Sequence, residues 1–190
     1  EYNRLIEQIG RFAASLKGSR IQVIDAAPWQ KDPTRLILRV SDGGISGFAA
    51  AHWLALQGIW VEMADACHLL LITTPSDTQE DFDCLARALN ALPNGNQAPC
   101  AVDQPAHGNA RVSPRRAAYG TMISCDLWQA EGRIAARTVC CYPPGVAVVL
   151  PGQRITAEQI EYLLAMHDAG ATLLNVEDGK LFVLPYPREV

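Results

Sequence analysis

The chain has 190 residues, 49% of them hydrophobic and 19% charged, with a net charge of −4. That is apolar material enough for one large domain or two small ones and excludes an intrinsically disordered chain. The acidic balance, with no clustered Lys/Arg run, excludes a basic nucleic-acid footprint.

No apolar run approaches the ~20 residues that cross a bilayer, and no basic-then-apolar leader opens the sequence, so no membrane role and a cytoplasmic location are expected. The chain starts at Glu1, without a Met and inside a helical pattern, and so reads as a piece of a longer protein.

From Tyr2 to Leu16, the residues Leu5, Ile6, Ile9, Phe12, Ala13 and Leu16 recur at helical spacing, and Lys17-Gly18 stops the helix. Ile21–Ile24 reads as a short strand, Asp32-Pro33-Thr34 as a turn, and Arg35–Val40 as the next strand. Ser46 is placed to cap a helix over Phe48–Gln57, which Gly58 ends. Ile59–Glu62 and Leu69–Thr73 then read as strands. Ser76-Asp-Thr-Gln79 has the spacing of a capping box before a helix whose stripe is Phe82, Leu85, Ala86, Leu89 and Leu92.

Residues 93–112 contain Pro93, Gly95, Pro99, Pro105 and Gly108 and form the best candidate boundary between domains. Ser113-Pro114 starts a short helix. Strand-like stretches follow over 121–124 and 134–141, then the break Tyr142-Pro143-Pro144-Gly145 and a strand over Val146–Leu150. Thr156-Ala-Glu-Gln159 is a second capping box, opening a helix that ends near His167 with Gly170 beyond it. Thr172–Val176 and Leu181–Leu184 look like a hairpin turning at Asp178-Gly179. The expected class is α/β (α+β): two small mixed domains, 1–93 and 94–190.

Cys67, Cys84, Cys100, Cys125, Cys140 and Cys141 make no Cys-x-x-Cys pair and no zinc-like cluster, so reduced thiols, mostly buried, are expected and no metal. His52, His68, His107 and His167 have no Ser, Cys or Asp that motif logic pairs with them. Trp53 and Trp60 read as packing between helix and sheet.

Four blocks in register resemble the ornithine/lysine/arginine decarboxylase family. They are Asp32-Pro-Thr-Arg-Leu36 with Gly44-Ile-Ser-Gly47; Gly58-Ile-Trp-Val-Glu62 running into His68–Thr73; Ser76-Asp-Thr with its helix; and Glu131–Ala136 leading to Tyr142-Pro-Pro-Gly145 and Pro151–Ile155. The likeness spans nearly the whole chain outside the first twenty residues and the 93–112 stretch. It departs at Gln153, where the family usually has Glu, and at Ala147 and Ser124.

The resemblance implies a fold-type-I, pyridoxal-phosphate-dependent enzyme, of which this chain corresponds to the aminotransferase-like small domain and the carboxy-terminal domain. The cofactor-binding lysine is expected in a part not present here, since Lys17, Lys31 and Lys180 lie in no cofactor-like context. It implies a basic amino-acid substrate, polyamine-type amine and carbon dioxide as products, and a homodimer or larger homo-oligomer. No catalytic residue is expected within the chain, which by itself would be inactive.

Glu62 is the leading substrate-binding candidate, a carboxylate for the cationic far end of the substrate; the plainer reading is a strand-end Glu. Asp65 is a second candidate, with a turn Asp bonding its own backbone as the favoured alternative. Tyr142, Pro143, Pro144 and Gly145 form either a wall of the substrate channel or a stiff packing turn, the latter slightly favoured. The competing function is a non-catalytic homologue or an assembly module of the same family.

Overall fold

Strict alternation builds the first sheet. In the computed structural model, which describes residues 1–24, 32–96 and 103–185, Leu36 and Leu38 of one strand and Leu69 and Leu71 of the next are buried, while their neighbours point the other way. The chain divides into two compact units, Glu1–Ala101 and Val102–Val190.

The first unit runs α1 (Tyr2–Ser15), β1 (Gln22–Val23), β2 (Arg35–Arg39), α2 (Gly47–Leu56), β3 (Met63–Ala64), β4 (His68–Ile72) and α3 (Gln79–Asn90). Its sheet has the order β1-β2-β4-β3 and is antiparallel throughout, β2 and β4 pairing from Arg35↔Ile72 to Arg39↔His68. Leu5, Phe12 and Leu16 of the α1 segment, Leu54 of α2, and Phe82, Leu85 and Leu89 of α3 meet the inner sheet face in one core. Phe12 and Phe82 pack ring to ring at 5.8 Å with planes tilted by 50°, an arrangement that suits the aromatic quadrupoles.

The second unit runs α4 (Pro114–Tyr119), β5 (Ile123–Asp126), β6 (Val139–Tyr142), β7 (Ala147–Val149), α5 (Ala157–Asp168), β8 (Thr172–Leu174) and β9 (Lys180–Val183). It holds two small antiparallel sheets, β5-β9 and β7-β6-β8, with α5 packed on the latter. The whole is the mixed α/β architecture that the sequence implies.

Both end signals around α5 hold. Thr156 and Gln159 cap it reciprocally, and His167 sits in its last turn. Ser46 caps α2 by accepting from the Ala49 amide at 3.1 Å, and Ser113 caps α4 with Pro114 at its first position.

Four expectations change. The capping box of α3 is Thr78 with Asp81, not Ser76 with Gln79: Asp77 closes a turn onto the Thr74 amide at 2.6 Å, so Ser76 is spent in that turn and the helix starts two residues later. The strand expected over 59–62 is displaced to Met63–Ala64, because Ile59 still bonds back to Leu54 of α2 and the ladder to β4 proper begins at Met63. Of the stretch expected over 134–141, strand begins only at Val139 and runs to Tyr142; Ile134 and Ala135 make single bridges to Arg154 and Val183.

The predicted final hairpin does not form. Its turn is real: Asp178 and Gly179 both have positive φ, as a two-residue hairpin turn demands, and Glu177 and Lys180 exchange two bonds at 2.9 Å. But β8 pairs with β6 and β9 with β5, so the two strands part into different sheets immediately beyond the turn.

Candidate functional site

Glu62 and Asp65 stand at the two ends of β3, where the chain turns into β4. The turn is locked from behind. Helix α2 begins so close to it that a Cβ on Gly47 would run into the carbonyl oxygens of Asp65 and His68, and the Gly47 amide donates to Ala66 O at 3.2 Å.

Asp65 is exposed, and its carboxylate is occupied. Oδ1 accepts the amides of Cys67 at 2.7 Å and His68 at 2.6 Å, and His68 Nδ1 lies 3.2 Å from both carboxylate oxygens. This is an Asp folding back on its own turn. It also supplies the partner that the sequence reading denied to His68. The signal was present as Asp-x-x-His, but three residues apart means a contact only if the chain reverses between them, and that reversal depends on the β3–β4 pairing.

Glu62 differs. Its amide donates to Leu70 O at 2.9 Å, which fixes the backbone, while its exposed carboxylate has no hydrogen-bond or ion-pair partner among the described residues. Trp60, two residues before, is 81% exposed rather than packed between helix and sheet as expected. Trp53 does pack, donating its indole N–H to Ala88 O at 3.4 Å. Glu62 and Trp60, two residues apart in sequence, are thus both exposed in the first unit.

Tyr142, Pro143, Pro144 and Gly145 form the connection from β6 to β7 in the second unit, where both X-Pro peptides are cis and the Gly145 amide returns to Cys141 O at 2.9 Å. The ring of Tyr142 is half exposed. Gln153, one of the departures from the family pattern, holds the neighbouring turn: its Oε1 accepts from the Leu150 amide at 3.2 Å. A glutamate would accept the same bond, so the turn does not itself depend on the exchange.

Two open grooves lie elsewhere. One, of about 770 Å³, runs along α1 past Ile6, Ile9, Ala13 and Lys17 to Val23 and Pro33. The other, of about 690 Å³, lies between residues 103–109 and α5 and carries Asp103, His107, Glu158 and Glu161. Neither is lined by Glu62, Asp65 or the 142–145 segment. Among the described residues no group of His, Cys, Asp and Glu is placed to hold a metal ion, and no helix is long and apolar enough to cross a membrane.

Of the five cysteines described, none of them in a disulfide, only Cys140 and Cys141 are buried; Cys67, Cys84 and Cys125 are half-buried, and Cys100 lies outside the described residues. Burial, and then the neighbouring Cys140, push the Cys141 thiol up to about 11. It is therefore a packed, unreactive thiol. Lys17 and Lys180 are exposed, and Lys31 lies outside the described residues. Neither described lysine fits a cofactor anchor, which needs a desolvated ammonium.

Comparison with known proteins finds likeness over most of the chain. Residues 100–173 match the family described as Orn/Lys/Arg decarboxylase, C-terminal domain. The arginine decarboxylase of Bacillus subtilis (strain 168) is 34% identical over 170 residues, covering 86% of this chain and 35% of that protein. That of Halalkalibacterium halodurans is 31% identical with the same coverage. Among solved structures, the constitutive lysine decarboxylase of E. coli superposes with a TM-score of 0.70 at 16% identity, covering 97% of this chain and 40% of that one. Lysine decarboxylase A from Pseudomonas aeruginosa gives 0.67 at 15% identity, covering 97% and 39%. The chain spans about a third of the length of the curated relatives it matches.

Proposed function

Because this chain carries the Orn/Lys/Arg decarboxylase C-terminal domain and is homologous to the carboxy-terminal third of arginine decarboxylases, we propose that it serves as the small and carboxy-terminal portions of a pyridoxal-phosphate-dependent decarboxylase of basic amino acids. The 34% identity over 170 residues carries the reading, and the relatives' names favour arginine as substrate. The fold likeness to lysine decarboxylases supports the architecture alone.

In this reading pyridoxal phosphate, held by another part of the enzyme, supplies the electron sink for loss of the α-carboxylate. This chain's residues bind and orient. Glu62 receives the distal cation of the substrate; its position at a strand end, backbone fixed and carboxylate free, suits that role. In open water such a contact is weak, and it strengthens only when the rest of the enzyme covers the edge and removes solvent. Asp65 acts one step back, holding the turn and His68 rather than the substrate. The 142–145 turn is a stiff element of the channel wall.

The test is release of labelled carbon dioxide from carboxyl-labelled arginine, lysine and ornithine by the enzyme that contains this chain. Turnover of arginine above the other two is expected. A cofactor-loaded, folded enzyme that releases nothing from any of the three would replace this reading with that of a non-catalytic homologue.

A further inference from the structure

Among the described residues, His68 is the histidine whose ring lies against a carboxylate, with Nδ1 3.2 Å from both oxygens of Asp65. That carboxylate is itself fixed. Its Oδ1 accepts the Cys67 and His68 amides, and the Asp65 amide donates to His68 O at 3.0 Å. The turn needs only those bonds, so the contact with the ring is additional to it. The other ring nitrogen, Nε2, has no hydrogen-bond partner among the described residues, and the side chain is 37% exposed. A carboxylate on one nitrogen, with the other left open, is the geometry of a proton-transfer imidazole. The carboxylate fixes the ring and its tautomer and balances the charge when both nitrogens are protonated.

The neighbouring charges leave this pair to itself. Arg39 stands opposite His68 in the β2–β4 ladder, but its Nε is matched by Asp42 at 3.1 Å, and Asp42 in turn accepts from Gln22 Nε2 at 2.7 Å. The pair also lies within reach of Glu62. Leu69 and Leu71 are buried, so His68 and Leu70 take the opposite face of β4. Leu70 pairs with Met63, and its carbonyl takes the Glu62 amide. Glu62 is therefore one strand over and two residues along from His68. At ~3.4 Å per residue and ~4.8 Å between strands, their backbones are about 8 Å apart. A basic amino acid bridges such a gap between its α-carbon and its distal cation.

We propose that His68, held by Asp65, is a catalytic residue that delivers a proton to the α-carbon of the substrate while Glu62 holds the distal cation. This rests on the decarboxylase reading above. When the α-carboxylate leaves as carbon dioxide, the electron pair of the broken carbon–carbon bond stays with the substrate and its cofactor, and the α-carbon needs one proton. His68 Nε2–H gives it, a C–H bond forms, the imidazole becomes neutral, and water returns the proton to the ring. Asp65 is the positioning residue. It keeps the neutral ring protonated on Nδ1, so that Nε2 is the nitrogen that gives and regains the proton.

Two measurements test this. The first needs no activity: nitrogen NMR of the ring of His68 in the 190-residue chain. The neutral ring should carry its proton on Nδ1. Asp65→Asn keeps an oxygen for the two amides but can turn an N–H toward the ring, and should move the proton to Nε2. The second follows the cofactor-loaded enzyme that contains this chain through one turnover of carboxyl-labelled arginine. In His68→Ala, release of labelled carbon dioxide should persist while amine formation falls about 10²- to 10⁴-fold. Added imidazole should restore part of that loss, which a merely structural histidine would not allow. If His68→Ala fails to fold by circular dichroism, the ring measurement on the unaltered chain decides. A neutral ring protonated on Nε2 overturns the proposal, as does His68→Ala forming amine at the parent rate or an amine loss that imidazole leaves untouched. An unaltered enzyme that releases no carbon dioxide overturns the decarboxylase reading itself, and this proposal with it.

Discussion

Two carboxylates three residues apart, Glu62 and Asp65, differ in what the backbone has already taken from them. Asp65 has spent one oxygen on two amides and faces His68 with both; the Glu62 carboxylate has no partner among the described residues. If Glu62 meets the substrate's guanidinium or ammonium under cover, Glu62→Gln removes a charge-assisted contact worth about 1.5–3 kcal/mol. That corresponds to a fall of roughly 10- to 150-fold in kcat/KM, with little change in melting temperature since shape is conserved. The loss should be larger for a basic substrate than for an uncharged analogue of the same length. Equal kinetics on both would make Glu62 a strand-end carboxylate and move the site elsewhere.

At the scale of elements, helix ends are where local sequence and tertiary contact are tied together. Gln159 is fully buried at the start of α5: Oε1 accepts the Thr156 amide at 3.1 Å, and Nε2 donates to Val148 O at 2.8 Å and Ala106 O at 3.4 Å. It caps its helix while binding β7 and the loop before α4. Gln159→Leu keeps the bulk but leaves these groups unpaired in the interior, and should cost about 1–3 kcal/mol in denaturant unfolding. Gln159→Glu should be worse, since a buried carboxylate cannot donate to two carbonyls.

The cap of α3 is exposed and responds to acid instead. The Thr78 amide at 2.8 Å, and then the Thr78 hydroxyl at 2.7 Å, hold the Asp81 carboxyl below its ordinary range. A depressed folded value means the stabilisation is present above the unfolded carboxyl's pKa and lost as pH falls through the folded one. Melting temperatures followed downward from about pH 5 should therefore drop, and Asp81→Asn should flatten that part of the profile. An unchanged slope would show that the cap contributes nothing.

For the whole molecule, the division into Glu1–Ala101 and Val102–Val190 means two separately built interiors on one chain. Limited proteolysis should cut first within the Pro- and Gly-rich residues 93–112 and release two resistant fragments, identifiable by mass. First cuts within His68–Ile72 or Ala147–Val149 would show that these units are not the cooperative ones.

What the sequence determined on its own was whatever depends on near neighbours. The caps at Ser46, Ser113 and Thr156, helix α1 with Leu5, Phe12 and Leu16 buried, the alternation of β2 and β4 and the turn at Asp178-Gly179 follow from side chains acting over two to four residues, and all stand in the structure. The family was legible too, because four blocks in register carry more information than any one spacing. What only the tertiary structure decided was partnership at long range. Whether Thr172–Leu174 and Lys180–Val183 pair with each other or with β6 and β5 depends on which distant strand offers an edge, and a turn signal does not encode that. Trp60 reads as core by composition yet stands in solvent, because burial depends on what packs opposite a residue, not on its own apolarity. Asp65 and His68 read as strangers until β3 and β4 pair and bring them to 3.2 Å. In each case the deciding contact forms only when the chain closes a loop, at an entropic cost that no local pattern records.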